Sequence, residues 1–403
     1  MTILSDTRHI PILICGAGLA GTACAIQLTQ LGHKVVLIDK AKFPRRKLCG
    51  EFLGPDAMPI LDALGILDAV KDQCQKPVEN IHIYNARGQA LHVKTTWFRK
   101  DYPYALALQR AELDTLLLRH AQALGVEVWE AHEVQDYQQL GDGSFELSIQ
   151  ALNKKGKHAL SQSSQSFKVK TPLLIDASGR NSRLANLAHR KEKSLKPSSL
   201  EINVGVQCHV QYESMNNDLS MFFFPGGYGG LQPISKDQAN LCCWMTPQQA
   251  QSGRAHSGRK TLAALFENTL ALNQAAKPLL KSMEVLEPIQ MVAGLHKLNR
   301  PPSELPFISI GDALLTVEPF SGFGMAHALK SGVMAASCID DNQKAGNPYS
   351  VIRKQYLHRY QAAFKNHLFR LRIFQPALKS ESIQSILWPV LNPFLPLLTA
   401  LYR

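Results

Sequence analysis

From His9 onward, short apolar runs alternate with apolar stripes at helical spacing. Ile10 to Cys15 is an apolar run of strand length, Leu19 to Leu31 repeats apolar positions with helical period, and Lys34 to Ile38 is a second, β-branched run. This order predicts two parallel strands joined through a helix. A further helix is expected over Arg110 to Leu124, with strands around Val126 to Val128, Phe145 to Ile149 and Phe167 to Ile175. Strand alternation also marks Ile81 to Tyr84, Ala90 to Val93 and the stretch from Ile202 through Trp244, where Gly226-Gly227 and Ser235-Lys236-Asp237 supply turns. Asn153 to Ser166 has the composition of an exposed hairpin loop. From Tyr349 the pattern is helical and basic, and it ends in an uncharged tail, Ser382 to Tyr402. Pro389, Pro393 and Pro396 exclude a continuous membrane-spanning helix there. Capping of the body is the expected role of the tail, with peripheral contact to a bilayer or an apolar substrate as the alternative.

Composition narrows the classes. The 403 residues suffice for two or three packed units, and 44 Lys and Arg against 32 Asp and Glu give a net charge of +12. Such a balance favours phosphorylated ligands, nucleic acid or an acidic membrane surface. Nucleic acid is not expected, because the basic residues of His189 to Lys196, read as a surface loop, have no interleaved aromatics. The eight cysteines lack C-x-x-C pairing, so reduced thiols without a metal site are expected. The polar N-terminus reads as cytoplasmic or peripheral.

The first chemical motif is Gly16-Ala17-Gly18-Leu19-Ala20-Gly21, which follows a strand, opens a helix and precedes Asp39 and Lys40 at the end of the next strand. Gly16 permits the tight turn, Gly18 lets a pyrophosphate approach the helix start, and Gly21 lets helix and sheet pack closely. Asp39 is placed to accept from an adenosine ribose. The motif predicts a dinucleotide without choosing between NAD and FAD.

Three further segments bear on that choice: Phe43 to Phe52 (FPRRKLCGEF), Leu174 to Arg183 (LIDASGRNSR) and Ile308 to Gly332 (ISIGDALLTVEPFSGFGMAHALKSG). With Arg110 in LQRAELDTLL, these resemble the FAD-dependent aromatic hydroxylase superfamily, and in particular its geranylgeranyl reductase-like branch. The resemblance implies an α/β fold in which a Rossmann-type FAD-binding domain (1–75, 105–195 and 285–345) is interleaved with a β-sheet substrate domain (76–104 and 196–284), followed by a helical C-terminal segment (346–403). It implies tightly bound, non-covalent FAD, with NAD(P)H as a possible transient reductant and an unidentified electron donor otherwise. Gly311 and Asp312 would meet the ribitol. Pro319, Ser321, Gly322, Phe323, Gly324 and Met325 would form a loop and helix start facing the flavin, where the peptide dipole favours its electron-rich state. Asp176, Gly179 and Arg180 would lie near the pyrophosphate, with Arg183 open between phosphate and structural roles, and Arg110 would hold the phosphate or ribitol region. Arg46, Lys47, Cys49 and Gly50 would place a thiol and positive charge beside the ring.

Cys49 and Tyr228, the latter in GGYGG, are the candidate catalytic residues, and His327 is expected to be a packed histidine. Phe222, Phe223, Phe224, Tyr228 and Trp244 would line the substrate sheet. The expected reaction is two-electron reduction or dehydrogenation of an apolar isoprenoid, polyketide-like or lipid substrate. A flavin monooxygenase is the alternative, and a non-catalytic Rossmann scaffold is the rival from another class. Halogenation is disfavoured because W-x-W-x-I-P occurs nowhere in the chain.

Overall fold

The computed structural model describes residues 7–152, 166–192, 203–213, 217–255, 261–286, 288–293, 304–317, 320, 322–379 and 388. Five parallel strands form its centre, in the order Ile308–Ser309, Leu173–Asp176, Ile12–Cys15, Val35–Asp39, Glu127–Glu130. Successive strand residues face opposite sides, and both sides are covered. Ile12, Ile14, Val35 and Leu37 pack under the helices Leu19–Gln30, Arg110–Ala123 and Gly324–Lys344. Leu13, Cys15, Val36 and Ile38 pack on Val134, Phe145, Leu147 and Val169, which belong to a second, four-stranded sheet. This double coverage is why these strands read as continuous apolar runs rather than as alternation.

The large sheet has eight strands, among them Val204–Gln211, Gln238–Met245, Gly227–Pro233, Leu219–Phe224, Asn80–Tyr84 and Ala90–Lys94 in that spatial order. Its pairs are antiparallel except Leu219–Phe224 beside Asn80–Tyr84. Alternation sorts the aromatics: Phe222 and Phe224 join the core behind the sheet, whereas Phe223, Tyr228 and Trp244 cluster on the opposite face. Glu284–Val285 and Gln290–Ala293 also pair with Val204–Gln211, so the sheet keeps the chain beyond residue 285.

One local expectation changes. Arg183–Glu192 is a helix rather than the start of a basic loop, because Leu184, Leu187 and Ala188 supply a buried stripe at helical spacing. Residues 153–165 and 193–196 lie outside the described residues. The basic C-terminal helix Tyr349–Lys379 docks through Ile352, Tyr356, Tyr360 and Phe364, one stripe repeating every four residues. Trp388, the described residue of the tail, is 3% exposed and meets Phe223 edge-on at 6.2 Å. Among the described residues, no helix is long and apolar enough to cross a membrane.

Burial raises the thiols of Cys15, Cys24 and Cys243, and raises Cys242 to about 12. The folded chain therefore holds these protons more tightly than the unfolded chain, where a thiol titrates near about 8.5. Their stabilisation is complete below that pH and is lost as pH rises toward the folded values. Thermal unfolding followed from pH 8 to 11 should show a steadily falling Tm, and a flat profile would contradict this burial.

Candidate active site

The glycine turn is built by close contact. Gly16 has φ 111, and a Cβ there would stand 2.4 Å from the Ala177 carbonyl oxygen. A Cβ on Gly21 would stand 1.9 Å from the Gly16 oxygen. Gly18 differs, since its nearest such contact is Arg45 Nη2 at 3.5 Å, and it borders an open cleft. The helix that follows carries neither a side-chain cap nor an acidic residue in its first turn, so its N-terminal N–H groups and dipole are available to an anion.

That cleft, about 230 Å³, gathers much of the predicted constellation. Gly18, Leu19 and Ala20 line one end, with Lys47, Cys49, Gly50, Arg110, Gly179, Arg180 and Asp312. Gly322, Gly324, Met325 and Tyr228 line it too, beside Phe52, Leu219, Met221, Trp244 and Phe320. Gly16, Gly21 and Gly311 support the cleft from behind; Gly311 has φ 57, and a Cβ there would press Ala20 at 2.8 Å. Pro319 and Ser321 lie outside the described residues.

Several predicted residues have partners within the fold or stand outside the cleft lining. Asp39 accepts from the N–H groups of Ala17 and Ala41, both at 2.8 Å, so it braces the turn. Lys40 and Arg46 are exposed and outside the cleft lining. Asp176 is fully buried and accepts from Ser178 and Ser182, which fixes the turn presenting Gly179; burial raises its carboxyl. Arg183 donates to the Val134 carbonyl at 2.9 Å and to Gln135, which ties it to the strand His132–Gln139. Phe323 turns away to pack on Phe364, and His327 is buried against the Tyr360 hydroxyl at 2.7 Å, as expected of a packed histidine.

The sequence reading missed the electrostatic centre. Asp114, fully buried, accepts from Arg110 Nε at 2.7 Å and lies 3.3 Å from Arg45. Burial, the largest single influence, would lower Arg110, but Asp114 and Cys49 together outweigh it and the guanidinium is held charged. Arg110 and Asp114 are four apart on one helix, a spacing visible in the sequence. Lys47 is lowered by burial and then by Arg110, and Arg180 is lowered by burial. Glu51, 3% exposed at φ 56, was also missed: it accepts the Arg110 N–H at 2.9 Å and pairs with His209 at 2.8 Å.

These residues suit FAD on geometric grounds. A Cβ on Gly50 or Gly324 would meet no atom within 4 Å, so both leave room for a ligand against the backbone. The helix from Gly324 also lacks a side-chain cap and first-turn acids, and it opens onto the cleft. Lys47, Arg110 and Arg180 place cations along the lining that the aromatic side chains share.

Comparison with known proteins agrees. The family described as FAD binding domain matches residues 9–339. Tryptophan 2-halogenase of Chondromyces crocatus is 23% identical over 373 residues, covering 92% of this chain and 67% of its own length. Digeranylgeranylglycerophospholipid reductase 3 of Methanosphaera stadtmanae is 24% identical over 344 residues, covering 82% and 77%. Among solved structures, a geranylgeranyl bacteriochlorophyll reductase-like protein of Thermoplasma acidophilum superposes with TM-score 0.78 at 18% identity, covering 98% of this chain and 96% of its own. A flavin-dependent brominase superposes with TM-score 0.76 at 18% identity, covering 98% and 94%. Halogenases thus stand among the relatives of a chain without W-x-W-x-I-P, and the missing motif does not remove that activity from the family. A Rossmann-type α/β unit, a cleft built for a dinucleotide and a match over most of the chain identify it as a member of the FAD binding domain family.

Proposed function

We propose that the protein is an FAD-dependent oxidoreductase that reduces or dehydrogenates a largely apolar molecule held against the large sheet. The observation carrying this reading is the aromatic wall of the cleft that Gly322 and Gly324 also line. Tyr228 and Trp244 stack at 5.6 Å with 16° between their planes, Phe320 meets Tyr228 edge-on at 5.9 Å, and Leu219 and Met221 extend the surface. No carboxylate or ammonium among the described lining residues belongs to this wall, so an apolar body loses no charge contacts there.

FAD, when bound, supplies the two-electron chemistry. The chain supplies placement and charge. Lys47, Arg110 and the helix start at Gly324 oppose negative charge on an electron-rich ring, and water exclusion by the aromatic wall strengthens each of these interactions. Cys49 and Tyr228 line the same cleft and are the candidate proton donors to a substrate on the wall. Asp312 lies in the short 3-10 turn Gly311–Ala313 after the strand Ile308–Ser309, close enough to act on Arg180, and offers acceptors to sugar hydroxyls. Asp312→Ala should purify with less than about a tenth of wild-type flavin, in keeping with the loss of hydrogen bonds to a charged acceptor. Full flavin occupancy, measured by visible absorbance, would remove Asp312 from the site.

A second reading, oxygen-dependent halogenation or hydroxylation, is favoured by the halogenases among the relatives. One experiment separates them. The flavin is reduced anaerobically with dithionite and mixed either with a prenylated alkene or with oxygen, bromide and a phenol. Flavin reoxidation by the alkene with a saturated product supports the leading reading; a brominated or hydroxylated phenol, with no reaction of the alkene, overturns it. NADH, NADPH and a reduced ferredoxin-type protein, compared as donors, identify what reduces the flavin.

A further inference from the structure

The loop carrying Cys49 is tied to the large sheet by side chains that belong to none of the motifs. The Cys49 N–H donates to Gln207 Oε1 at 3.0 Å, Gln207 Nε2 donates to Asn240 Oδ1 at 2.7 Å, and Asn240 Nδ2 donates to the Cys49 carbonyl at 3.1 Å. The three bonds close a ring, and closure fixes which way both amides face. Both amides are buried, Gln207 at 5% and Asn240 at 0% exposure, so each bond broken leaves a polar group without water. Two residues along the loop, Glu51 takes up a left-handed backbone conformation and sends its carboxylate to His209. Gln207 and His209 are two apart and leave the same face of their strand, while Asn240 is the cross-strand partner of His209.

The same two strands carry Gly205, Cys242 and Trp244 into the cleft wall. A molecule pressed on that wall therefore bears on the strands whose neighbouring side chains grip the thiol loop. We propose that Gln207, Asn240 and His209 are positioning residues that lock the Cys49 thiol to the substrate sheet, so that the strands forming the cleft wall also fix where the thiol stands. This rests on the reading of the cleft as a shared flavin and substrate chamber. Neither amide is acidic or basic, and no chemistry is asked of them beyond holding both main-chain groups of Cys49.

Alkylation by iodoacetamide tests the clamp in the full chain, with sites assigned by peptide mass. The thiolate attacks the methylene carbon, a C–S bond forms and iodide leaves. The double variant Gln207→Leu with Asn240→Leu should raise the Cys49 rate about tenfold, the scale of one buried hydrogen bond, with Cys74 unchanged as an internal control of folding. His209→Ala should raise it less, and His209→Gln, which keeps a donor to Glu51, should restore the wild-type rate. An unchanged Cys49 rate in a folded double variant overturns the proposal. If the double variant does not fold, hydrogen exchange of the wild type decides: strand-like protection of the Cys49 amide supports the clamp, and exchange at the rate of an open loop overturns it. The same alkylation with FAD present reports separately on the chamber: a clamp phenotype without protection of Cys49 by FAD keeps the clamp and sinks the flavin placement.

Discussion

Replacing Asp114 with alanine is expected to cost about 3–5 kcal/mol of folding stability, the range for removing one partner of a buried ion pair. The carboxylate is fully buried and bridges the guanidinium groups of Arg110 and Arg45 at 2.7 and 3.3 Å, with Asp39 a more distant partner of Arg45 at 3.9 Å. Without it, two cations face each other with Lys47 close by, and the loss falls on the helix that also receives Glu51 at its first N–H. Urea unfolding of the purified variant measures the effect. A loss below about 1 kcal/mol, the value of an exposed pair, would show that solvent screens this cluster.

The second large effect concerns Gly21. Alanine there would place a Cβ 1.9 Å from the Gly16 carbonyl and 3.0 Å from Ala177 Cβ, and backbone cannot swing aside as a flexible side chain can. Overpacking of this kind costs about 1–3 kcal/mol, and the first helix must lift from the turn proposed to receive the pyrophosphate. Gly21→Ala should therefore lose stability and flavin together. Gly18→Ala is the contrast: its nearest protein atom is 3.5 Å away, so the fold tolerates the methyl, while the added group occupies ligand space. Thermal unfolding and FAD titration of the two variants distinguish them, and equal losses of stability would contradict the division between a packing glycine and a binding glycine.

Legibility in the sequence tracked the range of the interaction. The glycine turn and the parallel strands were readable because turn conformation and burial on two faces are local patterns. Asp114 left a helical spacing that went unused. Gln207 and Asn240 left none, since they reach Cys49 across 158 and 191 residues and only the completed sheet brings them together. The helix Arg183–Glu192 was hidden for another reason: its Arg190, Lys191 and Glu192 drew the reading to solvent, while Leu184 and Leu187 already carried the buried face. Asp176 shows the converse limit, because a carboxylate after a strand looks the same in sequence whether it meets a ligand or ties its own turn.

The placement of the flavin is tested most directly by an experimental structure of the chain saturated with FAD. The pyrophosphate is expected at the N–H groups following Gly18, and the ring between Cys49 and the Gly322–Gly324 segment, facing Tyr228. An empty cleft under saturating FAD, or FAD bound at another surface, would contradict this placement.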